Sequence, residues 1–170
     1  MQLRVKIGQW CPLRTQKLVR NYRKCAIETL STPISGPVLK TALMEGYNPS
    51  IRAVPMGKAA DYTMTLRPQQ RICYYPGKLH GGIQAFYLDQ IFADCCAGAL
   101  TANLAISYLR PVNPQAPLRI STWPVRVEGR KVYMEGSIKI PDQATGALVE
   151  AVRATALFIM PKDKAVQISS

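Results

Sequence analysis

Residues 79–109, LHGGIQAFYLDQIFADCCAGALTANLAISYL, read as one long, mostly apolar helix opened by His80-Gly81-Gly82 and running straight into a strand. A helix that is apolar on nearly every side has to be covered all round. The chain has 170 residues, enough for one domain with a real core and too few for two of ordinary size. The cover must therefore come from the segments on either side of the helix.

Those segments read as strands. Tyr62, Met64 and Leu66 alternate with Thr63, Thr65 and Arg67, the period of a half-buried strand near 60–67. Residues 71–79, RICYYPGKL, lead through Pro76-Gly77 into the helix. Four strand-like runs follow it, at 100–109, 118–128, 131–140 and 148–160, with turn signals at Glu128-Gly129-Arg130 and over 141–146. One early helix and then a run of antiparallel strands is an α+β pattern, in which the sheet must curl round the helix. The last strand becomes apolar throughout, which places it in the sheet interior.

Residues 31–60 are rich in Pro, Gly and Ser, with one short candidate helix at 38–45, and read as a connector wrapped on the domain surface. The expected division is a basic extension and connector over 1–59, the α+β domain over 60–162 and a tail over 163–170. Charge follows the same division. Of the net +12, residues 1–78 hold 13 Lys/Arg against 3 acids, and residues 79–170 hold 9 against 7. The excess belongs to the leader, so any nucleic-acid contact is expected through the basic extension only. Residues 1–27 carry seven Lys/Arg and no acid, like an organellar transit peptide, although a retained basic arm that lies on a partner fits the same residues.

Composition is that of a folded protein, 48% hydrophobic, and no apolar run approaches the roughly 18–20 residues of a membrane span. Cys11, Cys25, Cys73, Cys95 and Cys96 are odd in number and lack CxxC spacing, which suggests neither a disulfide framework nor a metal site. They read as small buried apolar residues of a protein kept in a reducing compartment.

The helix also carries candidate chemistry. At 100° per residue over 81–98, Gln90 and Asp94 share one side that can face water. Asp89 falls among Ala85, Phe86, Phe92, Ala93 and Cys96, an unpaired carboxylate in apolar surroundings whose burial would cost several kcal/mol. Such a residue is paired from outside the helix or kept for its reactivity. Gly81 and Gly82 leave the first-turn N–H groups unobstructed at the positive end of the helix dipole, where an oxygen developing negative charge is stabilised. Asp89 lies about 12 Å further along at 1.5 Å per residue, too far to act on the same carbonyl. If the two cooperate, the acid must come from a second, antiparallel copy of the helix. A tight turn before a helix, and a surface Asp, are the plainer readings of the same residues.

His80-Gly81-Gly82, Asp89 nine residues after the His, and TANLAISYLRP at 101–111 together resemble the hotdog-fold acyl-CoA thioesterases, in particular the branch of phenylacetate-pathway and mitochondrial thioesterase superfamily proteins. The resemblance covers roughly residues 60–160. It implies a hotdog fold, a curved antiparallel sheet wrapped around a central helix, and a homodimer, or pseudo-dimer with another hotdog subunit, whose sites lie at the interface. It further implies that the amide of Gly81 or Gly82 polarises a thioester carbonyl and that Asp89 of the partner serves as nucleophile or base. Thr101 would position water or the Asp, and His80 would shape the loop. Coenzyme A would enter as part of the substrate, with no other cofactor and no metal. Arg110, Arg126, Arg130 and Lys131, near strand ends, are candidates for its phosphates and equally for solvated surface charges.

The chain departs from that pattern at Gln84, Phe86 and Tyr87, bulky where the family has small residues, which predicts a filled acyl pocket. An Asp89–Thr101 interval about one helical turn shorter predicts a displaced Thr101. Two functions follow from the sequence: a mitochondrial acyl-CoA thioesterase, or a hotdog subunit recruited into a large mitochondrial assembly, ribosome or respiratory complex, through residues 1–30.

Overall fold

The computed structural model describes residues 36–162; the basic leader and residues 163–170 lie outside the described residues. In chain order the elements are α1 (Gly36–Met44), β1 (Ser50–Val54), β2 (Gly57–Met64), a 3-10 turn (Pro68–Gln70), β3 (Cys73–Tyr75), β4 (Lys78–Leu79), α2 (Gly81–Cys95), β5 (Leu100–Tyr108), β6 (Leu118–Glu128), β7 (Lys131–Pro141) and β8 (Leu148–Ile159). Six strands form one sheet in the order β1-β2-β6-β7-β8-β5, antiparallel throughout, and β3 with β4 makes a separate hairpin. The fold is the expected α+β hotdog arrangement. Helix α2 touches β2, β5, β6, β7 and β8, so the sheet bends around it.

The strand expectations after the helix hold to within a residue or so at either end, because alternation and turn glycines fix them together. Gly129 (φ 56°) and Gly146 (φ 69°) occupy left-handed conformations in the two hairpin turns. The final strand β8 is interior, between β7 and β5. Helix α2 stops at Cys95, three residues earlier than read, where Cys96 caps it and Gly98 (φ 87°) turns the chain toward β5.

The first part of the domain differs from the sequence reading. β1 pairs with β2 from Ser50↔Asp61 to Val54↔Gly57, so the sheet begins ten residues before the boundary read at 59/60. The strand expected near 60–67 runs instead from Gly57 to Met64. The turn glycine Gly57 (φ 136°) starts it early, and the Arg67-Pro68 step, where proline lacks an N–H, opens the 3-10 turn. The helix expected at 38–45 is present as α1.

α1 is docked rather than merely wrapped. Gln70 is fully buried, and its Nε2 donates to the carbonyls of Ala42, Leu43 and Glu45 at 2.9–3.1 Å, closing the helix C-terminus. Tyr87, fully buried on α2, donates its hydroxyl to Leu43 O at 2.8 Å. The core lies between α2 and the sheet: Ile83, Tyr87, Leu88, Ile91 and Phe92 against Ile120, Met134, Ile138, Ala154 and Phe158. Burying each large apolar side chain contributes about 1.5–3 kcal/mol, so this face outweighs any single polar contact described below.

Candidate active site

The helix start is built by its own cap. His80 precedes the first turn, its backbone N–H donates to Ile72 O at 2.8 Å, and its Nδ1 accepts from Gly82 N at 2.9 Å. His80 O accepts from Ile83 N (3.0 Å) and Gln84 N (3.3 Å). With Gly82 N–H committed to His80, Gly81 N–H is the first-turn donor that makes no hydrogen bond among the described residues.

A residue that the sequence reading missed completes this end. Tyr108, the last residue of β5, donates its hydroxyl to Gly81 O at 3.0 Å, and a Cβ added at Gly81 would stand 3.1 Å from the Tyr108 ring. A side chain at this position would make the exposed Tyr108 ring give by a few tenths of an ångström. A groove of about 300 Å³ opens beside it, lined by Lys78, Gly81, Gln84, Tyr108 and Arg110 among others. Arg110 is the one of the four expected phosphate-binding cations placed here. Arg126, Arg130 and Lys131 stand at the β6–β7 hairpin instead. There Arg126 pairs with Glu128 (3.0 Å) and lies 4.0 Å over the Tyr133 ring, and Arg130 donates to Met160 O (2.9 Å).

Asp89 is on the flank of α2 that faces β5. It is half-buried rather than enclosed, and Thr101 donates its hydroxyl to Asp89 Oδ1 at 3.0 Å. Of the two alternatives for this carboxylate, the structure has the partner from outside the helix: Phe92 and Cys96 turn under into the core, while Asp89 stays half-buried at the edge, bonded to the next strand. Thr101 is not displaced by the shorter interval. A bulge between Thr101 and Asn103 absorbs one residue, so Thr101 faces the helix together with Leu104 and Ile106. Gln90 and Asp94 form their expected pair (3.0 Å) but are half-buried, because Tyr47 donates to Asp94 Oδ2 at 2.7 Å. Burial, and then the Asp94 carboxylate, raise the Tyr47 pKa, which keeps the phenol a donor.

Two of the three bulky residues after His80-Gly81-Gly82 turn into the core. Tyr87 is the peg that holds α1, and Gln84, 4% exposed, donates Nε2 to Leu79 O at 2.8 Å. Phe86 is half-buried, edge-on to Tyr87 at 5.5 Å. Of the three residues expected to fill an acyl pocket, Gln84 and Tyr87 belong to the domain's own core, and Phe86 packs half-buried at its edge. Burial also pushes the Cys95 and Cys96 thiols up to about 12 and 11, so both are protonated, inert core residues at neutral pH.

Comparison with known proteins agrees with the fold. The thioesterase superfamily model matches residues 76–147, from the turn before α2 to the end of the β7–β8 turn. Over that stretch the chain is similar to the thioesterase superfamily, and its sheet-and-helix architecture is the hotdog fold. Over 85 residues, 49% of this chain, it is 36% identical to bovine acyl-coenzyme A thioesterase THEM4, of which that stretch is 34%. The THEM4 of Xenopus laevis is 33% identical over 88 residues, 38% of its length. The chain therefore spans roughly a third of the length of these curated relatives. Among solved structures, the smu.793 protein of Streptococcus mutans bound to acetyl CoA matches with a TM-score of 0.54 at 20% identity, covering 67% of this chain and 89% of that one. A mutant of the phenylacetic acid degradation protein PaaI from Thermus thermophilus matches with a TM-score of 0.54 at 19% identity, covering 69% and 97%. At these identities the structural likeness is one of fold.

Proposed function

We propose that the chain hydrolyses acyl-CoA thioesters at sites shared between two copies. The observation that carries this reading is the Thr101–Asp89 hydrogen bond on the open flank of α2, in a chain whose first-turn donor lies at Gly81. The two half-sites are about 12 Å apart along one helix, so one carbonyl meets both only if the acid comes from a second copy. The edge strand β5 is the border at which that copy would sit, its unpaired backbone groups available for pairing.

In this reading Gly81 N–H donates to the thioester oxygen as it gains negative charge. Asp89 of the second copy, aligned by Thr101, takes a proton from water as the water oxygen bonds to the carbonyl carbon. The C–S bond then breaks, and the proton passes to the departing thiolate of coenzyme A. Lys78 and Arg110 flank the groove at Gly81 and suit its phosphates. A mitochondrial location is part of the same proposal, resting on the transit-like composition of residues 1–27.

Thiol release from a panel of acyl-CoA substrates tests the reaction. Asp89→Asn should lower kcat about 10²–10⁴-fold, the usual worth of a general base, with little change in thermal midpoint. An active wild type indifferent to Asp89→Asn would sink the mechanism, and the absence of thiol release across the panel would sink the function.

A further inference from the structure

The peptide between Gly81 and Gly82 is held at both ends. Its N–H donates to His80 Nδ1 (2.9 Å) and its C=O accepts from the Tyr108 hydroxyl (3.0 Å), with the Tyr108 ring packed on the Gly81 Cα. Two consecutive glycines are the least constrained backbone a helix can begin with, yet an oxyanion donor is worth most when its direction is fixed before the substrate arrives. We propose that Tyr108 is a positioning residue for the thioesterase reaction, tying Gly81, the residue that carries the donor, to the end of β5. This rests on the function proposed above.

The backbone around that donor is bracketed. On one side His80 N–H is anchored to Ile72 O, and His80 O accepts from Ile83 and Gln84. On the other, the peptide that follows Gly81 is held through its carbonyl by the Tyr108 hydroxyl, from 27 positions further along the chain. The residue that carries the donor is thus fastened on both sides. β5 thereby serves both half-sites: Thr101 near its start aligns Asp89, and Tyr108 at its end aligns Gly81.

The test compares Tyr108→Phe, which keeps the ring and removes only the hydroxyl, with wild type. Two readouts are needed: the steady-state constants with acyl-CoA, and amide hydrogen exchange at Gly81 and Gly82. The expected result is kcat lowered about 10-fold or more with KM within about 2-fold, since the hydroxyl holds the donor's residue in place for the transition state, and faster exchange at Gly82. His80→Ala should loosen the same peptide, and His80→Asn, whose side-chain oxygen can still cap Gly82 N–H, should restore exchange protection and most of kcat. A Tyr108→Phe enzyme with wild-type kcat, or one altered in KM alone, overturns the inference while leaving the thioesterase reading standing. A wild type that hydrolyses no thioester removes both, and the Gly82 exchange data then show whether the peptide was held at all.

Discussion

At Gly136 the lack of a side chain lets α2 settle onto the sheet. A Cβ there would come within 2.9 Å of both the Phe92 ring and Ser121 O, a backbone atom of the neighbouring strand that has little room to yield. Gly136→Ala should therefore cost about 1–3 kcal/mol, as overpacking of a filled core does, and chemical denaturation measures it. A variant as stable as wild type would show that Phe92 moves aside freely. Nothing in the sequence marks this glycine, because it sits mid-strand and its reason is a ring 44 positions away. Asp89 shows the opposite case, since its spacing from His80 is visible in the chain while its partner Thr101 is reached only by folding.

Among the elements, α1 depends on contacts that no local pattern displays. Gln70 carries the end of that helix on three hydrogen bonds, and its Oε1 accepts from Arg67 N at 2.8 Å. Gln70→Leu keeps the bulk and abandons these buried groups, so it should destabilise by about 2–4 kcal/mol; hydrogen exchange should show α1 opening first. Unchanged α1 protection would mean that Tyr87 alone secures it. The legible elements were those whose periodicity and turn residues agree locally, namely β6, β7, β8 and α2. β1 lies hidden inside a Pro- and Gly-rich stretch, and the contact of Tyr87 with α1 is invisible in the sequence because its partner is the Leu43 carbonyl, 44 positions away. Alternation in β5 would have turned Thr101 away from α2, since counting back by twos from Leu104 reaches Ala102. Only the bulge reverses this, and the resemblance named Thr101 without explaining it.

At the scale of the whole molecule the proposed site belongs to two chains, which a mixing experiment tests directly. Gly81→Val and Asp89→Asn should each be inactive alone. In an exchanging mixture, half the dimers are mixed and each rebuilds one intact site, so about a quarter of wild-type activity should return. No recovery after verified subunit exchange would place both half-sites in one chain. Stability should also carry an acid-side signature. Arg119, hydrogen-bonded to Asp61 at 3.1 and 2.6 Å across β2 and β6, holds that carboxyl below its ordinary value. The resulting contribution is complete above the ordinary carboxylate pKa of about 4 and is lost as pH falls through the lowered value. Asp61→Asn should flatten the fall of the thermal midpoint below about pH 4, and an unaltered acid limb would assign that fall to other carboxylates. The bulge in β5 has a further consequence for descent. Thr101 and Tyr108 hang on the same strand, so the separation of the two half-sites is recorded as a residue count, with one residue of slack at Ala102 setting its phase. A lineage altering that separation moves in steps of single codons, and the proposed twofold assembly would apply every step twice.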